Sequence, residues 1–169
     1  MAKLNHVRTN RFESAVKASP QVRDHFRNGL QALAKGHRSC LSELTSACLG
    51  SVEIDEAVRS RYPSDSRWDY VVGVGLTSGE LAVFIEVHSA TTSEVSVVIR
   101  KKEWLEKTWL EHSDQLELKK LPRRIFWVPS GRYDVPPNSP QSKRMVLNGL
   151  KPVKAITEGL LAQRILGPR

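Results

Sequence analysis

Asp69, Glu86 and His88 are the residues of this chain whose types and spacing could do chemistry. They interrupt two apolar runs, WDYVVGVGL (68–76) and LAVFIEVH (81–88), at places where burial favours hydrophobic side chains. A carboxylate at the rim of a buried sheet is costly unless it binds a cation, pairs with a base or reaches solvent. A histidine beside it changes charge near neutral pH and can act as a general base when neutral.

The elements that must position these residues form a hairpin. Both runs are rich in Val, Ile, Phe, Tyr and Trp, and Thr77-Ser78-Gly79-Glu80 between them is a cluster of turn formers. A two-residue loop at Ser78-Gly79 gives a register in which Asp69 faces His88. Asp69, Glu86 and His88 then share one face, with Cβ separations of roughly 5–7 Å. A three-residue loop sends Asp69 to the other face unless a bulge restores the register. Trp68, Tyr70, Val72, Val74, Val83, Ile85 and Val87 fall on one side of the hairpin and Val71, Ala82 and Phe84 on the other. With both faces apolar, these read as central strands covered on both sides.

Around the hairpin, residues 1–18 read as a loose basic N-terminus with a short helical turn over 12–17, and 19–169 as one globular domain. Ser19-Pro20 opens a predicted helix carrying Val22, Phe26, Leu30 and Leu33 to Gly36. A second helix is expected over 37–49 and a first, edge-tending strand over 51–59. Ser93 is the expected N-cap of a long helix whose apolar face is Val95, Val98, Ile99, Leu105 and Trp109, ending near 112–115. A fourth strand follows over 124–129, a loop over 130–141, and a last helix over 142–166 that Pro152 kinks or splits. The fold class is therefore α/β (α+β): a small mixed sheet of about four strands with helices on both faces.

Composition narrows the function classes. The 169 residues carry 26 Lys and Arg against 18 Asp and Glu, a formal net charge of +8. Such an excess points to a polyanionic partner, nucleic acid first. Cys40 and Cys48 are the only cysteines, lack metal-ligand spacing, and fit small buried residues better than a disulfide. No apolar run has the length of a membrane span and no signal peptide heads the chain, so a cytoplasmic location and no membrane partner are expected.

The order helix, three strands, helix, strand, with Asp69 early on the second strand and Glu86-Val87-His88 on the third, resembles the PD-(D/E)XK superfamily of restriction-endonuclease-like nucleases. The likeness spans residues 19–129 in topology and three residues in motif. No proline precedes Asp69, and His88 stands where the family has lysine. The resemblance implies hydrolysis of DNA or RNA phosphodiesters. It implies Mg²⁺ or Mn²⁺ held by Asp69 and Glu86, with Glu53 as a further acidic ligand and His88 in the lysine's place.

Two readings stay open. In one the chain is a metal-dependent nuclease. In the other it is a non-catalytic module that binds nucleic acid or a protein's acidic patch, with Asp69, Glu86 and His88 as hydrogen-bonded architecture. Basic residues at Arg100, Lys101 and Lys102, and at Lys119, Lys120, Arg123 and Arg124, flank the site helix and the fourth strand and are the expected nucleic-acid contacts. Trp104 and Trp127 read as core aromatics first and base-stacking residues second. His37-Arg38-Ser39-Cys40 puts a cysteine near a histidine with no orienting partner.

Overall fold

A computed structural model describes residues 10–163. The expected loose terminus 1–9 and the last residues of the predicted C-terminal helix lie outside the described residues. Four strands, β1 (Cys48–Glu53), β2 (Tyr70–Leu76), β3 (Gly79–Thr91) and β4 (Arg123–Asp134), form one mixed sheet in the order β1-β2-β3-β4. The first three are antiparallel neighbours and β4 runs parallel to β3. A parallel pair needs a crossover, and α3 (Val95–Trp104), continued by a π turn over Leu105–Trp109, supplies it.

Both faces of the sheet are dry, as the uninterrupted apolar runs predict. On one face Val71, Ala82, Phe84 and Trp127 pack under α1 (Arg11–Lys17) and α3, which contribute Phe12, Val16, Val95 and Val98. On the other, Tyr70, Val72, Val83, Ile85 and Phe126 meet Leu33, Leu41, Leu44, Ile156 and Leu161. Trp68 precedes β2 and joins the first cluster, not the second. Phe12 approaches the sheet so closely that a Cβ on Gly73 would stand 2.3 Å from its ring. The packed part of the chain thus reaches back to α1, inside the segment read as loose.

The hairpin loop is Thr77-Ser78. Gly79, at φ +129°, already pairs with Leu76 and re-enters the ladder in a conformation that favours glycine. This moves the register by two residues from the expected one. The pairing ends at Tyr70 with Ile85, so Asp69, one residue further out, falls level with Glu86 rather than His88. A shift of two preserves which face each side chain occupies.

The N-terminal half departs from its periodicity. In place of two helices, residues 19–47 hold a 3₁₀ turn at Arg23–His25, Gly29 at φ +53°, and a kinked 3₁₀ segment over Lys35–Ala47. Arg27 exchanges both backbone hydrogen bonds with Ser51, at 2.8 and 2.9 Å, so this stretch lies along the outer edge of β1. The first strand accordingly starts at Cys48. Residues 54–58, expected as strand, form α2 (Ile54–Val58), which begins where the Ile54 N–H bonds the Asp69 carbonyl at 2.8 Å. Cys40 is buried, Cys48 is partly buried, and both are free thiols.

Thr92–Glu94 is a 3₁₀ turn that leads into α3, and Ser93 bonds the Thr91 hydroxyl instead of capping the helix. The short helix α4 (Leu116–Lys120) precedes β4, which runs five residues past the expected Pro129. The expected last helix is two: α5 (Pro140–Leu147), stopped by Gly149 at φ +64°, and α6 (Glu158–Gln163). Among the described residues no helix is long and apolar enough to cross a membrane.

Candidate functional site

Asp69 and Glu86 meet at the end of the β2–β3 ladder, under α3. The Asp69 N–H donates to Glu86 Oε2 at 3.1 Å, and the Val87 N–H donates to Asp69 Oδ2 at 3.0 Å. Each carboxylate is therefore fixed by the backbone that carries the other. One oxygen of each remains, Asp69 Oδ1 and Glu86 Oε1, and both converge on the Lys101 ammonium. Lys101 Nζ lies 3.2 Å from Asp69 Oδ1 and bonds Glu86 Oε1 directly.

Lys101 is on α3, next to Val98 one turn before it, at the border of the buried stripe. Its stem runs along that stripe and its head reaches the carboxylates, leaving the side chain only 14% exposed. Lys101, grouped with Arg100 and Lys102 as an expected nucleic-acid contact, thus points into the sheet edge and not out to solvent. The sequence held one signal for it: a lysine bordering the apolar face of the helix that crosses β3.

His88 does not sit between the two acids. Its Nδ1 is 3.5 Å from Glu86 Oε1 and its Nε2 is 2.5 Å from Glu94 Oε2, so it bridges the site to the turn before α3. Glu94 has no place in the sequence reading and enters through this contact. Glu53 pairs with Tyr70 across β1 and β2. Paired residues share a face, so Glu53 points to the side of the sheet opposite Asp69 and Glu86 and is no third ligand beside them. The loop before Asp69 is ordered by Arg67, which bonds Asp55 Oδ1 at 2.9 Å and the Tyr62 carbonyl at 2.6 Å, rather than by Asp69 itself.

Glu86 is fully buried. Burial, with the Asp69 charge next, pushes its carboxyl up to about 8 against the opposing pull of Lys101. For Lys101 burial works against the charged form, yet Glu86 and Asp69 together raise its pKa above the ordinary lysine value. Both groups hold their protons tightly. The site is a cation position shaped by two acids and filled by the protein's own ammonium.

That convergence is the test of fit for a metal. Two oxygens on rigid strands aimed at one point suit Mg²⁺ or Mn²⁺, which retain several waters and take substrate oxygens as further ligands. Among the described residues no group of three or more His, Cys, Asp and Glu side chains is arranged to hold an ion unaided. An ion held by these two oxygens would need its remaining ligands from outside the described side chains.

The basic residues do not form one surface around the site. Lys102 bonds the Asn148 carbonyl at 2.7 Å and so ties α3 to the end of α5. Lys119 and Lys120 pair with Glu111 and Glu117, each at 2.6 Å. Arg123 and Arg124 face Ala82 and Val83, at the end of β3 away from Glu86. Of the first group only Arg100 is exposed and without a charged partner among the described residues. Trp104 and Trp127 are core residues, their indoles bonded to Asp65 and to the His88 carbonyl. No family model matches the chain, and no curated protein or solved structure matches it.

Proposed function

We propose that the chain is a metal-dependent phosphodiesterase of the restriction-endonuclease-like kind, acting on DNA or RNA. The observation that carries this reading is the convergence of Asp69 Oδ1 and Glu86 Oε1 on Lys101 Nζ. It unites two acids from adjacent strands with the lysine that the third strand lacks. The antiparallel β1-β2-β3 with β4 parallel to β3 supports it, because this order puts α3 over the acids.

Asp69 and Glu86 would hold Mg²⁺ or Mn²⁺, which when bound supplies Lewis acidity and a water of lowered pKa. Lys101, displaced by the ion from between these two oxygens, would offer its ammonium to charge developing on the non-bridging phosphate oxygens. His88, steadied by Glu94, lies where it can orient a water or accept its proton. Burial of Glu86 gives the acids a low-dielectric setting in which each of these interactions is stronger than in water.

The second reading, a binding module without catalysis, has its own observation: Lys101 bonds both carboxyl groups directly, so the fold needs no metal to tolerate them. Cleavage decides between the two. Supercoiled plasmid, single-stranded DNA and RNA are incubated with Mg²⁺ or Mn²⁺ and wild type, Asp69→Asn or Lys101→Met. The nuclease reading expects wild-type cleavage that falls at least 100-fold in both variants. No wild-type cleavage of any substrate with either metal, or equal cleavage by Asp69→Asn, refutes it.

A further inference from the structure

Val87 stands between Glu86 and His88, and strand alternation turns its side chain to the opposite face of the sheet. There it forms, with Val128, the floor of a cavity of about 220 Å³. His37, Ser39, Ser130 and Lys154 supply the polar groups at its walls, and no carboxylate lines it. The cavity is built by an irregularity in β4. His88 pairs with Pro129 but Ala90 pairs with Tyr133, so two extra residues of β4 bulge out at Ser130 and Gly131, beside the cavity.

Its chemistry is that of an anion site. Lys154 makes no hydrogen bond or ion pair among the described residues. His37 Nδ1 is 3.0 Å from the Tyr70 hydroxyl, a contact that holds the imidazole at the cavity wall. The Ser130 hydroxyl adds a donor, while the Ser39 hydroxyl donates to the Gly36 carbonyl at 3.5 Å. An ammonium, an imidazole and a serine hydroxyl without an acid suit a phosphate group.

The location relates it to the acids. Past Ile85, β3 has no β2 residue beside it, and Ser89 on this stretch is exposed. A polynucleotide can therefore cross the rim at His88–Ser89, with one phosphate at Asp69 and Glu86 and a neighbouring one on the far face. We propose that this cavity is a backbone-phosphate subsite that grips the substrate strand beside the scissile bond and sets its path across β3. The inference rests on the nuclease reading for the identity of the strand, and phosphate contacts of this kind position without reading sequence.

The test separates the two. Binding of a fluorescein-labelled single-stranded DNA 12-mer is followed by anisotropy in Ca²⁺ at several salt concentrations. Wild type is compared with Lys154→Glu, Lys154→Ala and Lys151→Glu, the last an exposed lysine outside the cavity. The expected result is a roughly 5–10-fold loss for Lys154→Glu, a smaller loss for Lys154→Ala, and a salt slope lower by about 0.7, one single-strand phosphate contact. Lys151→Glu should change affinity less than about 2-fold on the same basis. Equal losses at 151 and 154, no loss at 154, or no wild-type binding overturns the subsite. Lys154-dependent binding with no cleavage by wild type fails the nuclease reading and keeps the cavity as a phosphate site. Cleavage with Lys154-independent binding fails the subsite alone.

Discussion

Replacing Lys101 with methionine keeps the stem, the packing beside Val98 and the helix propensity, and removes only the charge. Glu86 is fully buried and Asp69 about four-fifths so, and their two free oxygens would lose their common donor. Breaking a buried pair from one side costs about 3–5 kcal/mol when the orphan stays charged. Here the orphan can instead keep a proton, which makes the cost depend on pH. Glu86 binds its proton up to about pH 8 in the folded wild type and releases it near the ordinary carboxylate value when unfolded. Native protein thus binds more protons than unfolded protein between those limits, and stability from this group falls as pH rises through them. Lys101 lowers that upper limit, so in Lys101→Met the fall continues to higher pH after wild type has levelled off. Urea unfolding at pH 5.5, 7, 8.5 and 9.5 should give a stability loss of about 1–2 kcal/mol at the acid end, where Glu86 is neutral in both proteins. It should grow to about 3–5 kcal/mol at the alkaline end. In Mn²⁺ the variant should gain more melting temperature than wild type, since the ion no longer competes with the ammonium, and 100 times Kd is worth about 2.7 kcal/mol. A loss constant across pH would refute the reasoning. So would a variant that Mn²⁺ stabilises less than wild type.

Two more outcomes follow from other parts of the fold. Gly73→Ala should destabilise by about 2 kcal/mol or more in urea, because its Cβ would overlap the buried Phe12 ring; a loss under about 0.5 kcal/mol would mean α1 is not seated on the sheet. Lys119→Ala with Lys120→Ala should leave 12-mer affinity within about 2-fold of wild type, since both are paired with glutamates at the end of the sheet away from Glu86; a loss beyond 5-fold would put substrate on that end.

What the sequence displayed well is what depends on short-range alternation. Asp69 and Glu86 share a face under any two-residue shift of the hairpin, so a register displaced from the expected one still joined them. The apolar runs on both sides of β2 and β3 likewise foretold a sheet buried on two faces. The N-terminal helices failed for the opposite reason. Val22, Phe26, Leu30 and Leu33 have helical spacing, but Val22, Leu30 and Leu33 reach their buried places from turns and from a segment bonded to Ser51, an edge contact that no local pattern encodes. Apolar spacing specifies burial before it specifies the backbone that achieves it.

Lys101 shows the same limit at the site. A lysine two residues after Glu86 would be visible in the strand pattern, since it must share the glutamate's face. Histidine occupies that position, and its nitrogens are directed to Glu86 and Glu94. The cation that the acids require comes instead from a helix fifteen residues on, where one charge among Arg100, Lys101 and Lys102 is indistinguishable by composition. Only the crossing of α3 over β3 selects it. Of the three, Arg100 is exposed, Lys102 turns to the end of α5, and Lys101 reaches the strand carrying Glu86. Histidine at position 88 therefore does not leave the acids without a positive charge. The helix supplies that charge through Lys101, and the histidine, held by Glu94, lies beside Glu86.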